Sequence, residues 1–478
     1  MKVFRIGHAS LIVETAAVRC LMDPILFEPF ECGSNRFEPP IKIDPSGIRD
    51  AYDLIVLSHE HGDHFCIQSL NLLDRKCPVV FHQSCALIPR ALVAMGFNNL
   101  WPVAPGQTMV FKDLELTFTP SEVVFPEMGV LFSSAHQHFW NCVDTELDDR
   151  AFALVGQRAS RLDLMFAKYQ VLIEEELGVD ALGASFPLAL YAKNLNAVTQ
   201  ANPRCVVPAS CGYRYSVDLW QNHRGFPITE QQFLDDIKII HPEILCRQLP
   251  QGACIDTEDF SIRDQALPWV ERLNSDGSGV LDWRPDRGIP DLRDENPQGQ
   301  NSDTLRRELK VLFEGQFLQQ FTDPALQEWR LRLAMGRVVW QLNVVYPDGK
   351  IEERWLDFAQ YPAAWLTRPP RVPKMLTSIC ASTVSGLLSG AITPYRALFT
   401  RRVVLKLYTP TDGGIDRIGT LADEPIGRIL FPTANLRYVD RELARLGYKA
   451  FDSPTLSEVE GAIGLRNVRR VRGLSRRL

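Results

Sequence analysis

The stretch His59-Glu60-His61-Gly62-Asp63-His64, directly behind the apolar run Asp53-Leu-Ile-Val-Leu-Ser58, constrains this chain more than any other feature. A short, continuous apolar run reads as a strand buried on both faces. It delivers four metal-competent side chains within six residues. Alternate residues of an extended loop point the same way, so His59 and His61 can share one metal ion. Asp63 and His64 fall beside them and can serve a second. A polar surface turn rarely has this spacing behind a buried strand.

The surrounding pattern suits a layered α/β protein. Val3 to Ile6, Leu11 to Glu14 and Arg19 to Met22 read as three strands in quick succession. Phe111 to Thr119 reads as a strand pair turning at Lys112-Asp113, and Val130 to Phe132 with Phe139 to Val143 as another. From Asp149 to Asn202 the pattern turns helical, including Ala167 to Leu177, and a late strand follows at Cys205 to Pro208. Asn274 to Asp303 is rich in Asp, Gly, Pro and Asn and reads as a linker or surface loop. This divides the chain into residues 1–275, a linker at 276–303, and an α+β unit over 304–478. In the last unit helices start at Thr304, Val338 to Tyr346 is a strand turning at Pro347-Asp-Gly349, Leu376 to Leu388 is helical, and Arg402 to Tyr408 is a strand. The arginines from Arg466 to Leu478 read as a solvated tail or a dock for an acidic partner.

Composition narrows the partners. The 478 residues carry a formal charge of -6, which gives no reason to expect nucleic acid. The eleven cysteines include no CxxC pair and suit a reducing, cytoplasmic setting. The N-terminus enters a strand pattern without an apolar leader segment, and no apolar run reaches membrane-spanning length.

The His59 to His64 stretch resembles the metallo-β-lactamase superfamily. Gly7-His8-Ala9-Ser10-Leu11 looks like its opening strand turn, Leu21-Met22-Asp23-Pro24 its early Asp, which supports the metal loop, and Trp140-Asn-Cys-Val-Asp144-Thr145 its metal-bridging Asp. The resemblance covers about the first 270 residues and implies an αββα sandwich. In the hydrolases a His precedes the bridging Asp; the corresponding stretch here is Leu116-Thr-Phe-Thr-Pro120-Ser121-Glu122, with no His between His82 and His136. Glu122 stands in that place, with His136 and His138 as its rivals, and His82 reads as structural. This pattern is similar to the superfamily's diiron oxygenase branch, which includes aryl β-hydroxylases. With Glu122, the first metal has a two-His, one-carboxylate set, which suits non-haem iron. The second would take Asp63, His64 and a late His, with Asp144 bridging. Ser210 and Cys211 occupy the family's late-His place, which leaves His223 or His241, and the loop at Trp220 to Gly225 favours His223.

The resemblance implies an O2-dependent diiron hydroxylase of a lipophilic, carrier- or coenzyme A-linked intermediate, fed by a ferredoxin or reductase. The alternative is a dinuclear zinc hydrolase of a lactone, ester or phosphodiester. Arg214, Tyr213 and Arg224 could meet an anionic group or be ordinary surface residues. Thr377 to Phe399 and the strand after it are similar to a sterol-carrier-protein-2 domain, which implies apolar substrate handling. The same stretch also reads as a structural unit that packs on the catalytic one or forms a homodimer interface.

Overall fold

The computed structural model describes residues 1–48, 52–123, 125–171, 186–216, 220–273, 283–284, 290–400, 402–407 and 424–449. Two mixed sheets lie face to face. The first has eight strands in the order Ile262–Arg263, Cys254–Asp256, Lys2–Gly7, Ser10–Glu14, Arg19–Met22, Leu54–Leu57, Val79–His82 and Leu100–Val103. The second has seven, in the order Leu245–Cys246, Cys205–Ala209, Leu164–Lys168, Gln137–Asn141, Gly129–Ser134, Leu114–Thr119 and Thr108–Phe111.

Alternation along the strands builds the layers. Leu11, Val13, Leu54 and Val56 point inward and meet Leu116, Phe118, Phe132 and Val207 of the second sheet. Ile12, Ile55 and Leu57 point the other way, onto a core shared with the helix Leu87–Ala94. The far face of the second sheet carries Leu131, Trp140 and Met165 under the helices Asp149–Arg158, Leu188–Ala201 and Glu230–Ile240. The result is the expected αββα order of layers.

Two sequence expectations need correction. Leu164–Lys168 is a buried strand parallel to Gln137–Asn141, within a span expected to be helical. Its continuous apolar run is equally a helix segment by periodicity, and pairing on both sides decides for a strand. The residues 172–177 of the expected helix lie outside the described residues. Met375–Cys380 is likewise a strand, with Met375, Thr377 and Ile379 alternately buried, and the helix starts only at Ala381.

Beyond residue 290 a five-stranded sheet runs Trp365–Leu366, Ile351–Asp357, Val339–Val345, Met375–Cys380, Val403–Leu407. It packs its own core around Trp340, Phe317 and Leu387. Within the expected linker, Asp294 accepts hydrogen bonds from the Ser382 N–H (2.9 Å) and hydroxyl. Residues 274–282 and 285–289 of that linker, and the arginine tail, lie outside the described residues.

The helix Pro425–Arg445 packs back on the sandwich. Its Val439 and Leu443 join the core of Ile88 and Leu92, and Asp440 takes a two-pronged ion pair from Arg90 at 2.9 and 3.0 Å. Proteolytic cleavage within residues 274–303 is therefore expected to leave both pieces associated, because separation would expose this shared core to water. Size-exclusion chromatography of the nicked protein checks this; two separately eluting soluble pieces would contradict it.

Candidate metal centre

The parallel strands Arg19–Met22 and Leu54–Leu57 end on the same edge of the first sheet, where open α/β sheets place their ligand loops. Asp23 follows one strand and Ser58 the other. The Asp23 carboxylate accepts from the Ser58 N–H at 2.8 Å, from the Ser58 hydroxyl at 2.7 Å and from His64 Nδ1 at 3.0 Å. The expected supporting Asp is thus in place.

These bonds fix the histidine tautomers. The single Ser58 hydroxyl proton goes to Asp23, so Ser58 Oγ accepts from His59 Nδ1 at 2.9 Å. His59 Nε2 is left as a lone pair aimed into the site, 3.0 Å from His61 Nδ1 and 3.9 Å from Asp144 Oδ2. His64 spends Nδ1–H on Asp23, so its Nε2 faces Asp144 Oδ2 at 2.9 Å. Two acceptors facing each other at this distance repel unless a proton or a cation lies between them, and for the buried His64 nitrogen that costs about 1–3 kcal/mol. A metal ion bound by both atoms removes that conflict, with Asp23 as the outer carboxylate that orients the ligand.

The electrostatics fit the same reading. Burial, with the neighbouring imidazoles adding, holds His59 well below its usual value, so it remains a neutral donor; His61 is exposed beside it. Burial opposes ionisation of Asp63 and Asp144, yet the histidines, His64 foremost, hold both carboxyls below their ordinary range. Burial also works against a charged His64, but Asp144 and Asp63 outweigh it and raise that group well above its usual value; a proton then fills the gap between His64 Nε2 and Asp144, and a bound cation would have to displace it.

His8 completes the cluster. It is buried, with φ of 46°, and its Nε2 lies 3.2 Å from Asp63 Oδ2. Neither ring nitrogen has a hydrogen-bond partner of good geometry, and a metal ion at Nε2, the nitrogen beside Asp63, would satisfy one of the two. Gly212 lets the loop after Cys205–Ala209 press on it, since a Cβ there would lie 2.9 Å from His8 Cα. Among the described residues two sets of ligand atoms converge: His8, Asp63 and His64, and His59, His64 and Asp144. Their nitrogen and carboxylate donors suit a dinuclear centre of first-row metals.

Other expected ligands are elsewhere. The Glu122 N–H donates to the Glu146 carbonyl, and its side chain, 59% exposed, pairs with Lys193 at 2.8 Å. The buried acid of that stretch is Glu127, which accepts a 2.5 Å hydrogen bond from Ser121. Burial raises its carboxyl, and the charge of Asp144 adds to this. The turn at Pro120-Ser121 sends one acid out and brings the other in, which spacing from the strand end cannot reveal. Glu122→His is consequently expected to leave metal content and metal preference unchanged, as elemental analysis of the variant would establish.

His223 lies half-buried in the short helix Trp220–Gly225 and belongs to neither ligand set, because that loop folds as a helix packed on Tyr215. His241 ends the helix Glu230–Ile240 and faces Glu243 at 3.0 Å. His136 sits in the hairpin turn at the far end of Gln137–Asn141, His138 bonds Ser133, and His82 accepts from the Ser84 N–H. Arg214 pairs with Glu38, Arg224 stacks over Trp220, and the Tyr213 ring meets His8 edge-on at 5.1 Å. His8 was missed as a ligand; the sequence signal was a His after a strand, on the same edge as Asp23.

The four-layer sandwich with its ligand loops on one edge is metallo-β-lactamase-like. No family model matches the sequence, and no curated protein matches it. Among solved structures the chain is similar to an isothiocyanate hydrolase from Delia radicum gut bacteria, at 14% identity and a TM-score of 0.39, covering 54% of this chain and 98% of that one. It is also similar to CmlA, a diiron β-hydroxylase from Streptomyces venezuelae, at 15% identity and a TM-score of 0.34, covering 44% and 45%. A third is the metallo-β-lactamase fold protein YhfI from Bacillus subtilis, at 13% identity and a TM-score of 0.36, covering 53% and 98%. Likeness at this level carries no chemistry, which rests on the residues of the site.

Proposed function

We propose that the chain is a non-haem diiron monooxygenase that hydroxylates a C–H bond of a lipophilic intermediate. The observation that carries this reading is the donor set itself: His8, His59 and His64 converge with Asp63 and Asp144, and His61 Nδ1 lies 3.0 Å from His59 Nε2, imidazole and carboxylate donors of the kind that non-haem Fe(II) oxygenases use with open positions for O2. His8 takes the part that sequence reasoning assigned to His223, Asp144 keeps its expected bridging part, and Glu122, paired with Lys193, has none. When bound, two ferrous ions would supply O2 activation. The chain's own residues hold and orient: Asp23 and Ser58 fix the donor nitrogens of His64 and His59, and the ring of Phe125, stacked 4.2 Å from His61, orients that imidazole. Lys168 donates to the Asp144 carbonyl at 3.3 Å and to Glu146, positioning the loop that carries Asp144. Hydroxylation consumes O2, two electrons and two protons and gives the alcohol and water, so an external ferredoxin or reductase is the electron donor. The eleven free cysteines are compatible with a cytoplasmic setting, and no described helix is long and apolar enough to cross a membrane.

A second reading is a dinuclear zinc hydrolase of a lactone, ester or phosphodiester, in which metal-bound water of lowered pKa is the nucleophile. The outward position of Glu122 favours it, because the extra carboxylate that would set the site apart from a hydrolytic one is not among the ligands. Elemental analysis after expression in iron-supplied medium tests the two. About two irons per chain, with uptake of O2 when reductant is supplied, is the result expected of the oxygenase. Zinc alone, with turnover of ester or phosphodiester probes, would replace it by the hydrolase.

A further inference from the structure

Three acids tie down the ligand loop at residues 59–64. Asp23 holds its base through Ser58 and His64. Glu60 Oε2 accepts from the Ala86 and Leu87 N–H groups at 3.0 and 2.9 Å, which joins the loop to the start of the helix Leu87–Ala94. The third is Glu31, which is 6% exposed. The backbone N–H of Gly62, between His61 and Asp63, bonds its carboxyl. Only glycine allows this approach, because a Cβ at position 62 would lie 2.0 Å from Glu31 Oε2.

Glu31 is itself held by the C-terminal unit. Its Oε1 accepts from the Thr393 hydroxyl at 3.3 Å. Thr393 Oγ1 accepts from the Arg396 N–H at 3.1 Å, at the start of the helix Pro394–Phe399. One residue on, the Cys32 carbonyl accepts from Arg396 Nη1, and the Cys32 thiol donates to the Ala391 carbonyl at 3.6 Å. The backbone of Glu31 and Cys32 is left-handed, with φ of 48° and 53°. Residues other than glycine keep that conformation only where the surroundings enforce it. Here the surroundings are Gly62 on one side and the segment from Ala391 to Arg396 on the other. Among the described residues no cation forms an ion pair with Glu31, and the charge of Asp63 works against its ionised form. Burying an acid in such a place costs stability, and local violations of this kind gather at functional sites.

We infer that Glu31 is a positioning residue of the metal centre: it holds the Gly62 peptide so that His61 and Asp63 project toward the metal positions, and Thr393 of the C-terminal unit holds Glu31. The C-terminal unit thereby shapes the metal site, although the two ligand sets take nothing from it. The inference rests on the reading of the cluster as a metal centre and holds equally for iron and for zinc.

The test uses cobalt(II) as the probe, titrated into the full metal-free chain. Affinity is read by competition with a chelator, and ligand geometry by the visible absorption spectrum. Glu31→Ala should weaken cobalt binding by about 10–100-fold, as loss of an outer partner does, and should shift the spectrum. Glu31→Gln keeps an acceptor for the Gly62 N–H and should restore most of the affinity. Gly62→Ala should reproduce the loss, because its methyl group displaces the Glu31 carboxyl. Adding Gly62→Ala to Glu31→Ala should cost nothing further, since both changes break one contact. Thr393→Val should weaken cobalt binding in the same direction, and Thr393→Ser should restore it. Native affinity and spectrum in Glu31→Ala would overturn the inference, as would additive losses in the double variant. A lowered melting temperature with native cobalt affinity marks a merely structural contact and overturns it as well. If Glu31→Ala fails to fold, Gly62→Ala and the Thr393 pair decide. A native chain that takes up no cobalt would sink the metal centre and this inference together; equal binding by the native chain and Glu31→Ala would sink this inference alone.

Discussion

Replacing Asp144 by Ala is expected to empty both metal positions at once. The Asp144 Oδ2 atom lies 2.9 Å from His64 Nε2 and 3.9 Å from His59 Nε2, so it faces both imidazoles, and His64 is shared with the His8 and Asp63 set. Removing the carboxylate also takes one of the two negative charges that oppose the charge of two divalent ions. Loss of an outer partner typically costs about 10–100-fold in metal affinity, and loss of a ligand that serves both ions should exceed that at each position. Metal analysis after dialysis should fall from about two ions per chain to nearly none. Retention of one full equivalent would make Asp144 a terminal ligand of a single ion. Asp144→Asn, which keeps the shape and removes the charge, guards against misfolding, and it should weaken both ions together.

His8→Ala should remove one ion and spare the other. His8 belongs to the set with Asp63 and His64, while His59, His61 and Asp144 do not depend on it. The expected outcome is one tightly held ion per chain and a second weakened by more than about 100-fold, with activity lost if both ions are needed. His223→Ala, by contrast, should leave both ions in place, because that residue lies in a helix outside the ligand sets. Stepwise metal titration of the two variants checks the pair of claims. The reverse pattern, with His223→Ala emptying a site, would restore the assignment drawn from sequence.

These two variants bracket the boundary between what sequence and structure supply. The metal loop was legible because its cause is local. A buried apolar strand, Leu54–Leu57, must be followed by a loop on the sheet edge, and residues in that loop have only one side on which to converge. Asp23 and Asp144 were legible for the same reason, each within a few residues of the end of a buried strand. The layered α/β order came from alternating strands and helical patterns, whose periods are properties of neighbouring residues.

The other candidate groups of the site were not legible because nothing local distinguishes them. Glu122 and Glu127 are five residues apart in one turn, and only the hydrogen bond from the Glu122 N–H to Glu146 and the pull of Lys193 send the first outward. His8 stands 55 residues before Asp63 in the chain. It becomes a ligand candidate because Ser10–Glu14 and Arg19–Met22 bring its turn to the same edge and Gly212 lets another loop press on it. Leu164–Lys168 and Met375–Cys380 are too short for period alone to name, and strand pairing decided them. The sequence by itself determined that this chain presents a His- and Asp-rich loop at the edge of a layered sandwich. The tertiary structure decided which distant side chains complete it, because a metal ion selects donors by their distance in space, and chain separation leaves that distance open.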